Sequence, residues 1–188
     1  MTSQVPFAFE TAAALTGALV FARAAAFKLR DIEAFADALA AYRILPISLV
    51  EPGARALPVV EAACALALLA PPTRVAGETA AATLLTVFAL AMGVNLLRGR
   101  REIDCGCGDP SRRQPLAWSL VARNLAFAAA LCACALAPVA SQSLLGWLVG
   151  GASASGLMLL LLCHEAFSAL PGRNGRAPPP LLRLGDPA

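Results

Sequence analysis

The chain has 188 residues, of which 59% are apolar and only 14% charged, with a mean hydropathy of +0.69. Soluble domains average about 45–50% apolar and about 25% charged residues, so this chain carries too little charge to wet a closed surface. That excludes an ordinary soluble enzyme and a disordered chain. The net charge of +3 is too small for a nucleic-acid binder, which leaves an integral membrane protein.

A span needs about 20 mostly apolar residues, and five stretches are read as spans: about 6–27, 54–70, 75–97, 115–137 and 144–167. The opening MTSQVPFAFE has no basic stretch before its apolar run, so no cleaved signal peptide is expected. Residues 28–53 are too polar to cross. Ile32, Phe35, Leu39 and Tyr42 recur there at helical spacing, with Arg30, Asp31, Glu33 and Asp37 between them, which predicts an amphipathic helix lying in the interface. The second span is the shortest and contains Glu61, and Pro71-Pro72 closes it. Residues 98–114 form a polar connection, and Pro138 ends the fourth span. The expected architecture is all-α: a polytopic membrane bundle over residues 1–172, followed by a disordered tail at 173–188 containing Pro178-Pro179-Pro180.

Lysine and arginine are distributed one-sidedly. Counting Arg23 and Arg55 with the connection they border, successive connections hold 0, 5, 1, 5, 0 and 3 basic residues, with Arg123 left inside the fourth span. By the positive-inside rule the N-terminus lies outside, and the 98–114 connection and the C-terminus are cytoplasmic.

That connection holds the chemistry. Of six cysteines, Cys64, Cys132, Cys134 and Cys163 lie inside apolar runs, where a thiol behaves as a small hydrophobe. Cys163, near the same face as the connection, is the candidate among them for a resolving thiol. Cys105 and Cys107 are separated by Gly106 and followed by Gly108, and glycine permits the tight turn a close thiol pair needs. A disulfide across so small a ring is strained and therefore exchanges readily. Arg112, Arg113 and a helix start near Pro115 favour thiolate, while Asp104 and Asp109 oppose it. Thiol–disulfide exchange is the chemistry this suggests. Soft-metal binding, with His164 or Cys163 as further ligands, and a purely structural turn are the alternatives.

Ionisable groups inside spans are functional candidates by default. Arg123 lies about 12 Å into its helix and Glu61 about 10 Å into its own. Span order brings Lys28, Glu61, Asn95, Arg123 and the cysteine pair to one end of the bundle. The plainer alternative is that Glu61 and Arg123 neutralise each other while Lys28 snorkels to the interface.

These residues carry a resemblance. Phe27-Lys28, the stretch from Tyr42 to Pro46, Leu57-Pro58…Glu61, Asp104-Cys105-Gly106-Cys107-Gly108 and Trp118…Arg123-Asn124 resemble the MauE family of methylamine-utilisation membrane proteins, itself similar to DoxX-like four-helix bundles. The likeness covers about residues 8–137, and the chain departs from it at Asp109-Pro110, where the family often carries a bulky residue. It implies a four-helix core plus a fifth span in the bacterial inner (cytoplasmic) membrane. It also implies a role in forming the disulfides of methylamine dehydrogenase or a similar disulfide-rich client, together with a thioredoxin-like partner and a membrane electron carrier such as a quinone. Carried over by position, Cys105 and Cys107 are the exchanging pair, while Lys28, Glu61, Arg123 and Asn124 build and tune the site. Disulfide formation belongs in the periplasm, so this implication and the charge count place the pair on opposite faces.

Overall fold

The computed structural model describes residues 4–106, 114–137 and 144–168. The 173–188 tail, Cys107 and the side chain of His164 lie outside the described residues. Among the described residues six α-helices follow in order: α1 (Gln4–Arg30), α2 (Ile32–Ala41), α3 (Ile47–Leu69), α4 (Arg74–Leu97), α5 (Trp118–Leu136) and α6 (Leu144–Ser168). A single 3₁₀ turn at Pro71–Thr73 joins α3 to α4. All but α2 are long and apolar enough to cross a membrane, so the protein is an integral membrane helical bundle with five such helices.

Packing follows composition. α3 and α6 lie against α1, and α4 is wedged between α3 and α5. The central core is built largely from small residues, among them Ala14, Ala18, Ala65, Ala81 and Ala128, filled by Phe21, Leu68, Leu85 and Leu131. Small residues let helix backbones approach closely, which is how helices gain contact where lipid is as apolar as the core itself. The outward faces carry Leu66, Leu90, Leu148 and Leu160, all exposed on the isolated chain and suited to acyl chains. Cys64 and Cys134 are core residues, whereas Cys132 and Cys163 are exposed on the bundle surface rather than filling the interior.

Two helix boundaries differ from those read in the sequence. α3 begins at Ile47 instead of residue 54 and runs through Pro52 and Pro58. Each proline gives up one helix bond, Pro52 to the Ser48 carbonyl and Pro58 to the Ala54 carbonyl. Starting at Ile47 places Glu61 about 21 Å along its helix, not 10 Å. α5 begins at Trp118 instead of Pro115, because residues 114–117 are held extended. Pro115 pairs with Asp104 in an isolated β-bridge, and the Leu116 N–H donates to the carbonyls of Arg101 and Ile103, each at 3.1 Å.

The amphipathic helix is where the sequence places it. The Asp31 carboxylate accepts from the Ala34 N–H at 2.9 Å and caps its start. Its end is capped from another element: Arg100 Nη2 and Nη1 donate to the carbonyls of Ala41 and Tyr42 at 2.7 and 3.2 Å. The same guanidinium donates to Asn95 Oδ1 at 2.9 Å, tying α2 to the end of α4.

A Cβ added at Gly77 would lie 2.8 Å from backbone atoms of Ala67 and Leu68, while one at Gly93, on the same helix, would meet nothing within 4 Å. Gly77→Ala should therefore lower stability in detergent by about 1–3 kcal/mol. Gly93→Ala should leave it unchanged or raise it by about 0.5–1 kcal/mol. Equal effects in thermal unfolding would contradict this packing. Arg101, exposed at the loop neck, reports sidedness. The positive-inside count predicts that Arg101→Cys is shielded from an impermeant maleimide in intact cells and labelled after lysis; labelling in intact cells places the loop outside.

Candidate functional site

Lys28 is in the last turn of α1, yet its side chain is only 4% exposed. Nζ donates to Glu61 Oε1 on α3, whose side chain is 1% exposed. Phe35 of α2 and Phe88 of α4 place their ring centroids 5.1 and 5.3 Å from the ammonium, within cation–π range. Four helices thus enclose one ion pair. The structure corrects the snorkelling alternative: α2 turns back at Asp31 and lays Phe35 over Lys28, which closes its route to the interface. Glu61 is paired with Lys28 and not with Arg123.

Lys28 contributes to the wall of a cavity of about 70 Å³ whose other walls include Tyr42, Leu57, Met92 and Cys105. A larger vestibule of about 430 Å³ lies alongside, bordered by Asp31, Asp37, Glu102 and Asp104. Lys28, Phe35, Ala38 and Gly106 line both. The inner space is apolar and the outer one acidic, with Lys28 on the boundary.

Cys105 is held by its neighbours. Its N–H donates to the Gln114 carbonyl at 3.0 Å, its carbonyl accepts from the Tyr42 hydroxyl at 3.2 Å, and Sγ lies 3.4 Å from Gln114 Oε1. The Asp104 carboxylate accepts from the N–H groups of Gly106 and Gln114, at 2.9 and 3.1 Å, closing the loop neck. Gly106 has φ +69°, a left-handed conformation that favours glycine, and a Cβ there would touch the Phe35 ring at 3.4 Å. The Cys105 backbone is thus held by Tyr42, just past α2, and its sulfur by Gln114 on the far side of its own loop, and Cys105 is only 7% exposed.

Of the residues singled out in the sequence, Lys28, Glu61 and Cys105 come together. Asn95 stands at the same end and acts through Arg100. Arg123, half-buried, and Asn124, buried on α5, line neither cavity. Sequence reasoning missed Arg100, Gln114, Phe88 and the structural use of the Asp104 carboxylate. Only Asp104 carried a signal, as an acid followed two residues later by glycine, a common turn pattern.

A helical membrane bundle with a buried ion pair beneath a clamped cysteine loop is the class of protein these observations define. The chain belongs to the MauE family: the family model described as methylamine utilisation protein MauE matches residues 5–137. It is 41% identical over 159 residues to a methylamine utilization protein MauE of Paracoccus versutus, covering 84% of this chain and 86% of that one. It is 38% identical over 145 residues to one from Methylorubrum extorquens, covering 77% and 78%. Against one from Paracoccus denitrificans identity is 47% over 112 residues, and the match spans only 60% of each protein's length. No solved structure matches the chain.

Removing one partner of a buried ion pair strands the other charge, at a cost of about 3–5 kcal/mol. Lys28→Met and Glu61→Leu should each destabilise by about that much, and the double variant by much less than their sum. Additive losses in denaturant titration would mean that the two charges act independently.

Proposed function

We propose that this protein is a membrane thiol–disulfide redox protein of the bacterial inner membrane. It assists disulfide formation in, or maturation of, methylamine dehydrogenase or a similar disulfide-rich client, acting through Cys105-Gly106-Cys107. The observation that carries this reading is that Lys28 and Cys105 line one cavity, with the counter-ion Glu61 outside that lining. A fixed cation at the cavity wall stabilises the negative charge that develops on sulfur during exchange, and it does so most where water is excluded. The names of the relatives support a place in methylamine utilisation.

The exchange takes two steps, and the cycle is closed by an external oxidant. A client thiolate attacks the Cys105–Cys107 disulfide, forming a mixed disulfide and releasing one pair thiolate. The client's second thiolate then breaks the mixed bond, leaving an oxidised client and a reduced pair. Reoxidation removes two electrons and two protons, to the disulfide of a thioredoxin-like partner or to a membrane quinone. Asp104, Tyr42 and Gln114 hold the loop while these bonds change.

Mass-tagging of thiols should add two tags to the Cys105–Cys107 pair after mild reductant and none after oxidation. Lys28→Met should slow exchange with a thioredoxin-like partner roughly a hundredfold. A pair that stays reduced in every condition defeats the proposal. Full client maturation with Cys105→Ser and Cys107→Ser points instead to a scaffold.

A further inference from the structure

A second set of buried charges lies at the other end of the bundle, where α1 begins and α3 ends. Arg74 and Glu78, one turn apart at the start of α4, are 6% and 1% exposed. Arg74 Nη1 donates to Glu10 Oε1 of α1 at 3.3 Å, and its guanidinium lies 5.3 Å from the centroid of the Trp147 ring on α6. Trp147 packs edge-on against Phe7 at 5.7 Å. A Cβ at Gly77 would meet α3 backbone and one at Gly150 would meet Thr11, each at under 3 Å, so four helices close tightly around this group.

Its charges do not balance. Arg74 offsets Glu10, which leaves Glu78 with no ion pair among the described residues and with a buried Oε1 that has no hydrogen-bond partner. Arg74 Nε and Thr11 Oγ1, at the same end, are also buried without partners. The ionisable groups that act on Glu78 are Glu10 from α1, Arg74 from its own helix, and, across the interface with α5, Cys134. α3 approaches with Ala67 and Leu68, and α6, among the described residues, brings the neutral Trp147. A lone carboxylate in such surroundings takes up a cation rather than remain charged. Among the described residues no cluster of His, Cys, Asp and Glu could hold a metal ion.

We infer that Glu78 is a proton-binding site on the membrane face opposite Cys105, occupied in the resting bundle by one exchangeable proton. When the proton leaves, two carboxylates compete for one guanidinium at the point where Trp147 is seated, so occupancy is linked to the docking of α6. The inference does not rest on the thiol reading.

Infrared spectra of the full chain in nanodiscs at neutral pH should contain the carbonyl band of a protonated carboxyl group. That band should shift on exchange into heavy water, vanish in Glu78→Gln and remain in Glu61→Gln. In a Trp118→Phe background, which leaves Trp147 as the sole tryptophan, emission should titrate with pH and become flat when Glu78→Gln is added. Absence of the band, its persistence in Glu78→Gln, or an emission change driven by sodium at fixed pH overturns the inference. If Glu78→Gln does not assemble, Glu78→Asp should move the band, and an unmoved band likewise overturns it. Neither readout involves Cys105, so failure here leaves the exchange proposal standing.

Discussion

The arrangement depends on a charge that is almost wholly buried. Lys28 stands at the end of α1, where a long cationic side chain would ordinarily extend to the headgroups. Here α2 folds back across it, with Phe35 and Phe88 against its ammonium and Glu61 as its counter-ion. In a low-dielectric interior such a pair holds only while both partners are present and well oriented. It therefore fixes the depth of α3 against α1, and it requires α3 to begin early enough for Glu61 to lie below the α2 cover. The start at Ile47 meets that requirement.

The cysteine loop is attached to this cover by polar contacts. Arg100 ties the end of α2 to Asn95 on α4, and Tyr42, just past α2, reaches the Cys105 carbonyl. The Asp104 carboxylate closes the neck from within. Each contact satisfies a backbone or amide group that would otherwise be stranded near the membrane. Loop, α2 and ion pair thus form one connected unit, so a shift of α2 would open the vestibule and disturb the surroundings of the sulfur together.

The spans were legible because composition and length settle them, and the meeting of Lys28, Glu61 and the cysteine loop was legible because span order alone sends them to one end. The choice of partner for Glu61 was not. Depth arithmetic treats Lys28 and Arg123 alike, whereas pairing depends on how each helix is rotated, and that is set by packing of residues such as Ala128 and Leu131. The start of α3 was hidden because Pro52 and Pro58 read as breakers, although a helix that packs against neighbours along its length tolerates them. Arg74 and Glu78 were overlooked because Arg74 sits at a span edge, where cations are ordinary. Nothing local announces that α6 will bring Trp147 over it.

The geometry of the pair decides what it can contribute to sulfur chemistry. Taken together, Lys28 and Glu61 have no net charge, so at long range their fields cancel and the pair acts as a dipole. Lys28 lines the cavity shared with Cys105 and Glu61 does not, so of the two it is Lys28 that borders the space where negative charge would develop. The middle of the bundle is apolar, built around Ala14, Ala18, Leu68 and Leu131. Moving the ammonium away from the cavity while keeping the pair intact would preserve the fold yet remove its influence on sulfur. The placement of one buried ion pair, rather than total positive charge at the membrane surface, is therefore what joins the architecture of this bundle to the proposed thiol exchange.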